Sequence, residues 1–322
     1  MYDLILCEYA PPNKTTDVID ECLSLGPRTL LNAGLLPALS WAGVQVPDAA
    51  IIPWGFPSDG AAGAGTPLDG RKSRLLASTK QLAERTHYAV TQDHLPLTLG
   101  DCTAGVGVYA GLKQRWDDVA VVWVDAHCDL NTEESTLTGY FGGMPLAAVL
   151  GESLPWLTRA VGMRHPCDDD KVALVGAREF DPFEKDYLLN SGIAHVTPDE
   201  LNDWVAPSRS AASAGGNKAA AATVGSPSSA PAKVARVVDS AESVYLHIDV
   251  DSLDPSIMPS VTFPSPGGLR IDSLLALAGA IGSSGKVRAI TISSFNPGKP
   301  GALESAAKLV SLIAGIAAEC DR

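Results

Sequence analysis

Short apolar runs rich in β-branched residues recur along the chain, separated by longer stretches in which apolar residues return every three or four positions. Runs of the first kind fit strands buried on both faces of a parallel sheet, and stretches of the second fit helices that bury one stripe each. The predicted strands are 2–9, 95–99, 119–124, 172–175, 244–248 and 287–292; the predicted helices are 27–39, 71–85, 104–116, 182–190, 271–281 and 302–319. Their alternation predicts an α/β fold of three layers, α/β/α, around a central, mostly parallel sheet. A length of 322 residues fits one domain spanning 1–322. One segment breaks the pattern: about 207–233 is nearly all Ala, Ser, Gly and Pro, and is expected to be a flexible surface insertion. Gly105, Gly107 and Gly111 lack a dinucleotide-binding spacing, so they are read as small residues for close helix packing.

Composition narrows the function classes. No apolar run reaches the roughly 18 residues of a membrane span, and MYDLILCEYAPPNK has no basic stretch before its short apolar run, so a cytoplasmic protein is expected. The six cysteines include no CxxC pair, which points to reduced thiols and away from a zinc finger. A formal charge of −13 argues against nucleic acid and anionic membrane surfaces as partners, and mildly favours a cationic substrate.

Candidate chemistry concentrates in two motifs. In VVWVDAHCDL, Asp125, His127 and Asp129 lie two apart, so a strand or its extended continuation would aim all three to one side. YLHIDVDSLDP repeats the spacing with His247, Asp249 and Asp251, before Asp254-Pro255 turns the chain away. Both follow apolar runs read as parallel strands, and open parallel sheets gather ligand sites at strand carboxyl ends. Four carboxylates converging there could not all stay ionised without cations, because repulsion and desolvation raise their pKa values. Any one Asp could instead cap a helix or pair with an arginine, whereas the joint pattern reads as a two-metal site. Oxygen donors with a single imidazole favour a hard or borderline ion, Mn²⁺ first.

These residues resemble the ureohydrolase family of arginase, agmatinase and formimidoylglutamase. DAHCD is similar to that family's DAHxD and DVDSLDP to its DxDxxDP, while GPRTLLNAGL, LGDCT, VGAREFDPFE and FNP look like further family segments. The resemblance implies an arginase-like α/β/α fold with two Mn²⁺ per chain, Asp125 and Asp249 bridging the ions and His127, Asp129 and Asp251 binding one each. Water held by the ions would attack a guanidino carbon, and Asp129 would pass a proton to the departing amine. Homotrimers or homohexamers are implied by the same analogy. Asn131 and Thr138 stand near the family positions that meet an α-carboxylate, and Asp181 matches the acid that meets the α-amino group; loop hydrogen bonding is the other reading of Asn131 and Thr138.

Three positions depart from the family pattern. Cys102 stands where a histidine ligand belongs, Gly142 where a proton-shuttling histidine belongs, and Ser294 where a late glutamate would face the guanidinium. Cys102 is either a thiolate ligand or a small buried hydrophobe. Without the glutamate, a fully charged guanidinium is left uncompensated in a desolvated pocket, so a less basic substrate fits better. The chain thus looks like the Nω-hydroxy-L-arginine hydrolases, which release hydroxyurea and L-ornithine, with L-arginine, releasing urea and L-ornithine, the less favoured substrate. His247 is a candidate for the missing proton shuttle, or a satisfied core histidine. The alternatives are a catalytically impaired relative serving as a binding or oligomerisation protein, and a hydrolase of another guanidino or amidine compound.

Overall fold

The computed structural model describes residues 1–9, 21–53, 67–212 and 229–321. Among these residues eight strands form one sheet: β1 (Tyr2–Glu8), β2 (Asp48–Pro53), β3 (Leu95–Gly100), β4 (Val119–Val124), β5 (Val172–Val175), β6 (Ala194–Val196), β7 (Ser243–Asp249) and β8 (Val287–Ser293). Their spatial order is β2-β1-β3-β8-β7-β4-β5-β6, and every pairing is parallel. The chain first builds outward to both edges, then returns with β7 and β8 to fill the centre. Loops leaving the four central strands, β3, β8, β7 and β4, therefore meet at one rim, where a parallel sheet opens a crevice.

Helices cover both faces. They are α1 (Gly26–Asn32), α2 (Leu35–Trp41), α3 (Pro67–Thr91), α4 (Ala104–Leu112), α5 (Pro145–Val149), α6 (Pro155–Ala160), α7 (Pro182–Asn190), α8 (Pro198–Ala212), α9 (Ala230–Asp239), α10 (Ile271–Gly282) and α11 (Ala302–Cys320). Strand residues alternate between two cores: Leu4, Leu6, Val122 and Val124 join Leu309 and Ile313 on one face, while Ile5, Cys7, Val121 and Trp123 join Val106 and Leu146 on the other. The three-layer α/β/α fold with a parallel sheet follows from this alternation. No helix among the described residues is long and apolar enough to cross a membrane.

The six predicted strands all form, within one or two residues of the expected ends. Two more, β2 and β6, lie at the sheet edges; β2 is exposed along most of its length and β6 has three residues, too short for a periodic signal. The helix expected over 27–39 is two helices, divided at Gly34, whose φ of 100° only glycine adopts readily. The insertion expected over about 207–233 falls mostly outside the described residues. Positions 207–212 end α8 and 230–233 begin α9, where Lys233 Nζ donates to Glu200 Oε1 at 2.6 Å, and the Ala/Ser-rich centre lies outside the described residues.

The small residues of α4 have the packing role expected of them. A Cβ on Gly107 would lie 3.0 Å from Leu82 Cγ, and one on Gly111 would lie 2.6 Å from both Ala83 O and Thr86 Cβ. The backbones of α3 and α4 thus approach at a distance that only glycine permits. Gly111→Val should lower the urea midpoint with an unchanged m-value, at a cost of about 1–3 kcal/mol for overpacking. An unchanged midpoint would show that α3 can move aside.

Candidate metal centre

The two Asp-rich segments leave the sheet through the same local turn. Asp125 Oδ1 accepts from His127 N at 2.8 Å, and Asp249 Oδ1 accepts from Asp251 N at 2.8 Å. Each is an Asx-type turn, in which a carboxylate oxygen satisfies the amide two residues on. Asp251 Oδ1 accepts from Ala126 N at 3.2 Å, which ties one segment to the other. The extended continuation expected from the two-residue spacing is not what forms. β4 ends at Val124, Asp251 lies in a 3₁₀ turn at Val250–Ser252, and Asp129 is reached through a left-handed backbone with φ 54°. Convergence comes from paired turns at neighbouring strand ends.

Asp125, Asp129, Asp249 and Asp251 retain 1%, 3%, 2% and 4% exposure, so burial works against their charge. Burial and then neighbouring carboxylates push Asp129, Asp249 and Asp251 up. Burial is the largest influence on Asp125 and pushes it the same way, but hydrogen bonds to His127 together with the charge of that imidazole outweigh it and leave this carboxyl low. Burial opposes a charged His127, yet its Nδ1 sits 3.4 Å from Asp125 Oδ1 and 3.2 Å from Asp251 Oδ2, and these two acids lift it to about 12. One imidazolium answers a surplus of buried negative charge.

Cys102 follows β3 and enters the same cluster. Its Sγ lies 2.7 Å from Asp249 Oδ2 and 3.9 Å from Asp125 Oδ2, and burial, ahead of three carboxylates, pushes the thiol well up. Ser294, after β8, has φ 68° and donates from Oγ to Asp249 Oδ2. Such left-handed non-glycine residues cost stability and persist where surrounding contacts impose them. The donor set fits divalent cations. It is oxygen-rich, it is under-neutralised, and Asp129 Oδ2 is buried with no hydrogen bond from the described residues. Ligand atoms of Asp125, His127 and Asp251 lie within 4.8 Å of one another, as do those of Cys102, Asp125 and His247.

A cavity of about 780 Å³ opens over this cluster. Its lining includes Cys102, Asp125, His127, Asp129, Asp249 and Asp251 together with Asn131, Thr138, Asp181 and Ser294. Asn131 Nδ2 donates to Asp181 Oδ2 at 2.9 Å, and Thr138 Oγ1 accepts from Tyr140 N at 3.2 Å. Gly142 is bare for a steric reason, since the Tyr140 ring fills the space a Cβ there would enter. His247 stands apart from the cavity lining. It is 0% exposed, its ring stacks on Trp123 at 3.6 Å, and both its nitrogens are bonded, Nδ1 to Tyr245 Oη at 3.0 Å and Nε2 to Ser293 Oγ at 3.1 Å. Burial pushes this imidazole down to about 3, which suits the core-histidine reading of the two that its sequence position offers.

Residues that sequence reading passed over hold the loops in place. Glu184 forms a capping box with Asp181 at the start of α7 and also accepts from Leu130 N at 3.0 Å, joining the α7 cap to the Asp129 loop; the Asp-x-x-Glu spacing was its available signal. Arg178 donates to the carbonyls of Gly176, Asp251, Ser252, Ser265 and Pro266, and no local pattern could have revealed that.

Comparison with known proteins comes to the same place. The arginase family model matches residues 22–216 and 217–317, the break falling in the Ala/Ser-rich segment. The arginase of Bacillus caldovelox is 29% identical over 248 residues, 77% of this chain and 76% of that protein. Its crystal structure superposes with a TM-score of 0.78 at 25% identity, covering 98% of this chain and 97% of that one. Arginase from Bacillus cereus gives a TM-score of 0.79 at 22% identity with the same coverage, a likeness of fold.

Arg178→Ala should unpin the 251–266 loop, because it strips partners from five carbonyls. We expect a stability loss of about 1–3 kcal/mol and faster amide exchange in this loop than in β4. Unchanged exchange there would show the loop to be held by other contacts.

Proposed function

Because the chain belongs to the arginase family of metal-dependent hydrolases acting on guanidino carbon–nitrogen bonds, we propose that it hydrolyses Nω-hydroxy-L-arginine to hydroxyurea and L-ornithine in preference to L-arginine. The observation that carries this reading is Ser294. Its hydroxyl lines the cavity beside Asp249, at the position where the family resemblance places a glutamate facing the guanidinium. A buried cation deprived of its partner loses about 3–5 kcal/mol, which disfavours the charged side chain of arginine. A hydroxyguanidine is far less basic and can share neutral hydrogen bonds with a hydroxyl.

In this reading Asp125, His127, Asp129, Asp249, Asp251 and Cys102 hold two divalent ions, Mn²⁺ before others. The ions would supply charge that keeps the buried carboxylates ionised, and the Lewis acidity that readies water for attack near neutral pH. The chain's own groups do the rest. Asp129, with a buried and unsatisfied Oδ2, receives a proton from the attacking water and returns it to the departing nitrogen. The α-amino group of the substrate meets Asp181, and its α-carboxylate meets Asn131 and Thr138; Asp181 and Asn131 are already joined by a hydrogen bond, so this end of the cavity is set before substrate arrives. Phe263 lines the same cavity, edge-on to His127 at 6.1 Å and tilted against Tyr140 at 5.5 Å.

Steady-state kinetics on manganese-loaded protein test the substrate. We expect kcat/KM for Nω-hydroxy-L-arginine to exceed that for L-arginine by on the order of a hundredfold to a thousandfold, in keeping with the loss just given for an unpartnered buried cation, and Ser294→Glu to narrow the gap. Equal values for both substrates would refute the preference, and no turnover of either would turn the reading to a binding protein that keeps the fold. Asp249→Asn should remove more activity than the roughly 10–100-fold typical of groups that only orient a ligand, together with bound metal by elemental analysis. Full metal content and rate in that variant would remove Asp249 from the site.

A further inference from the structure

Beneath the metal cluster, the strands carry polar groups where a sheet core is ordinarily apolar. Tyr245, His247, Thr291 and Ser293 are each at most 1% exposed, and they touch in series. Tyr245 Oη donates to Thr291 Oγ1 at 2.7 Å and lies 3.0 Å from His247 Nδ1. His247 Nε2 lies 3.1 Å from Ser293 Oγ, which in turn lies 3.2 Å from Asp249 Oδ2 and 3.4 Å from Cys102 Sγ. On its flank the His247 ring is parallel to Trp123, with 3° between planes, and Trp123 Nε1 donates to Asp125 Oδ2 at 3.2 Å. A Cβ on Gly105 would lie 2.7 Å from Trp123 and 3.4 Å from His247 Nδ1, so α4 presses directly on the stacked pair.

We propose that His247 is a positioning residue for the metal site, which holds the Ser293 hydroxyl against Cys102 and Asp249 and, through its stack with Trp123, keeps the indole N–H on Asp125. This rests on the reading of Cys102 and Asp249 as ligands given above. Burying four polar side chains inside a sheet costs stability unless every one is satisfied, and apolar residues would fill the layer without that cost. One end of the chain of contacts stops at Thr291 in the core, while the other end and the Trp123 branch reach oxygen or sulfur atoms of the cluster. Groups that orient metal ligands commonly alter affinity by about 10–100-fold. A thiolate has no counterpart to an imidazole's second nitrogen through which a neighbour could orient it, so a hydroxyl held at a set place against the sulfur itself helps define where it sits.

Cobalt titration of the full-length protein tests this, because a cysteine thiolate bound to cobalt adds a near-ultraviolet charge-transfer band that can be read without turnover. Five variants are compared with wild type: Cys102→Ser to identify the band, Ser293→Ala, His247→Phe to keep a ring on Trp123 without nitrogens, the Ser293→Ala/His247→Phe pair, and His247→Gln to restore a polar partner for Ser293. The proposal expects Ser293→Ala and His247→Phe to fold as wild type by circular dichroism, to shift the band, and to weaken one of two cobalt ions by about tenfold. His247→Gln should return toward wild type, and the Ser293→Ala/His247→Phe pair should be no worse than either alone. Wild-type band and affinity in both single variants would overturn it and leave His247 as core filling. Loss of the band in His247→Phe with its retention in Ser293→Ala would also overturn it, by making His247 itself a ligand. A wild-type spectrum with no Cys102-dependent band would overturn the ligand assignment of Cys102 beneath it, an outcome that the wild type and Cys102→Ser reveal on their own.

Discussion

Four aspartate carboxylates, none more than 4% exposed, are gathered at the end of a parallel sheet with one histidine to offset them. Like charges removed from water repel strongly, and each loses hydration that it cannot recover from the others. The backbone relieves part of this. Asp125 and Asp249 each give one oxygen to the amide two residues on, and Asp251 gives one to Ala126 N. What remains is a set of buried carboxylate oxygens, with the Cys102 thiol among them, whose charge cations can balance. The rest of the site is arranged around that demand.

The sheet order is the device that meets it. Building outward first and filling the centre last brings the ends of β3, β8, β7 and β4 side by side, so that Cys102, Ser294, Asp249 and Asp125 come from adjacent strands. Long-range ties then hold the loops that these strands release. Arg178 gathers five carbonyls across 176–266, and Glu184 joins the cap of α7 to the loop carrying Asp129. Left-handed backbone at Asp129 and Ser294, which neither side chain favours, is imposed by this framework at the two places closest to the chemistry.

Much of this was legible in the sequence where the signal is local. Continuous apolar runs marked the six inner strands, because strands buried on both faces need no polar alternation. The edge strands β2 and β6 carried no such run, being exposed or only three residues long. DAHCD and DVDSLDP marked the cluster, and their places after apolar runs marked the shared rim of a parallel sheet; within each motif parity along an extended strand was expected to aim the side chains, whereas two Asx turns and a left-handed Asp129 form. The buried line from Tyr245 through His247 to Ser293 joins two strands and could not be seen from either alone. Gly142 read as a missing histidine, and the Tyr140 ring occupies the space beside it.

The central claim is that these carboxylates share cations, and anomalous diffraction from crystals grown with manganese measures that directly. The account predicts two anomalous peaks per chain in the cluster, both flanked by Asp125 and Asp249, with the Cys102 sulfur beside one of them. A map without peaks there, in which the same aspartates are protonated or paired among themselves at full manganese concentration, would contradict it.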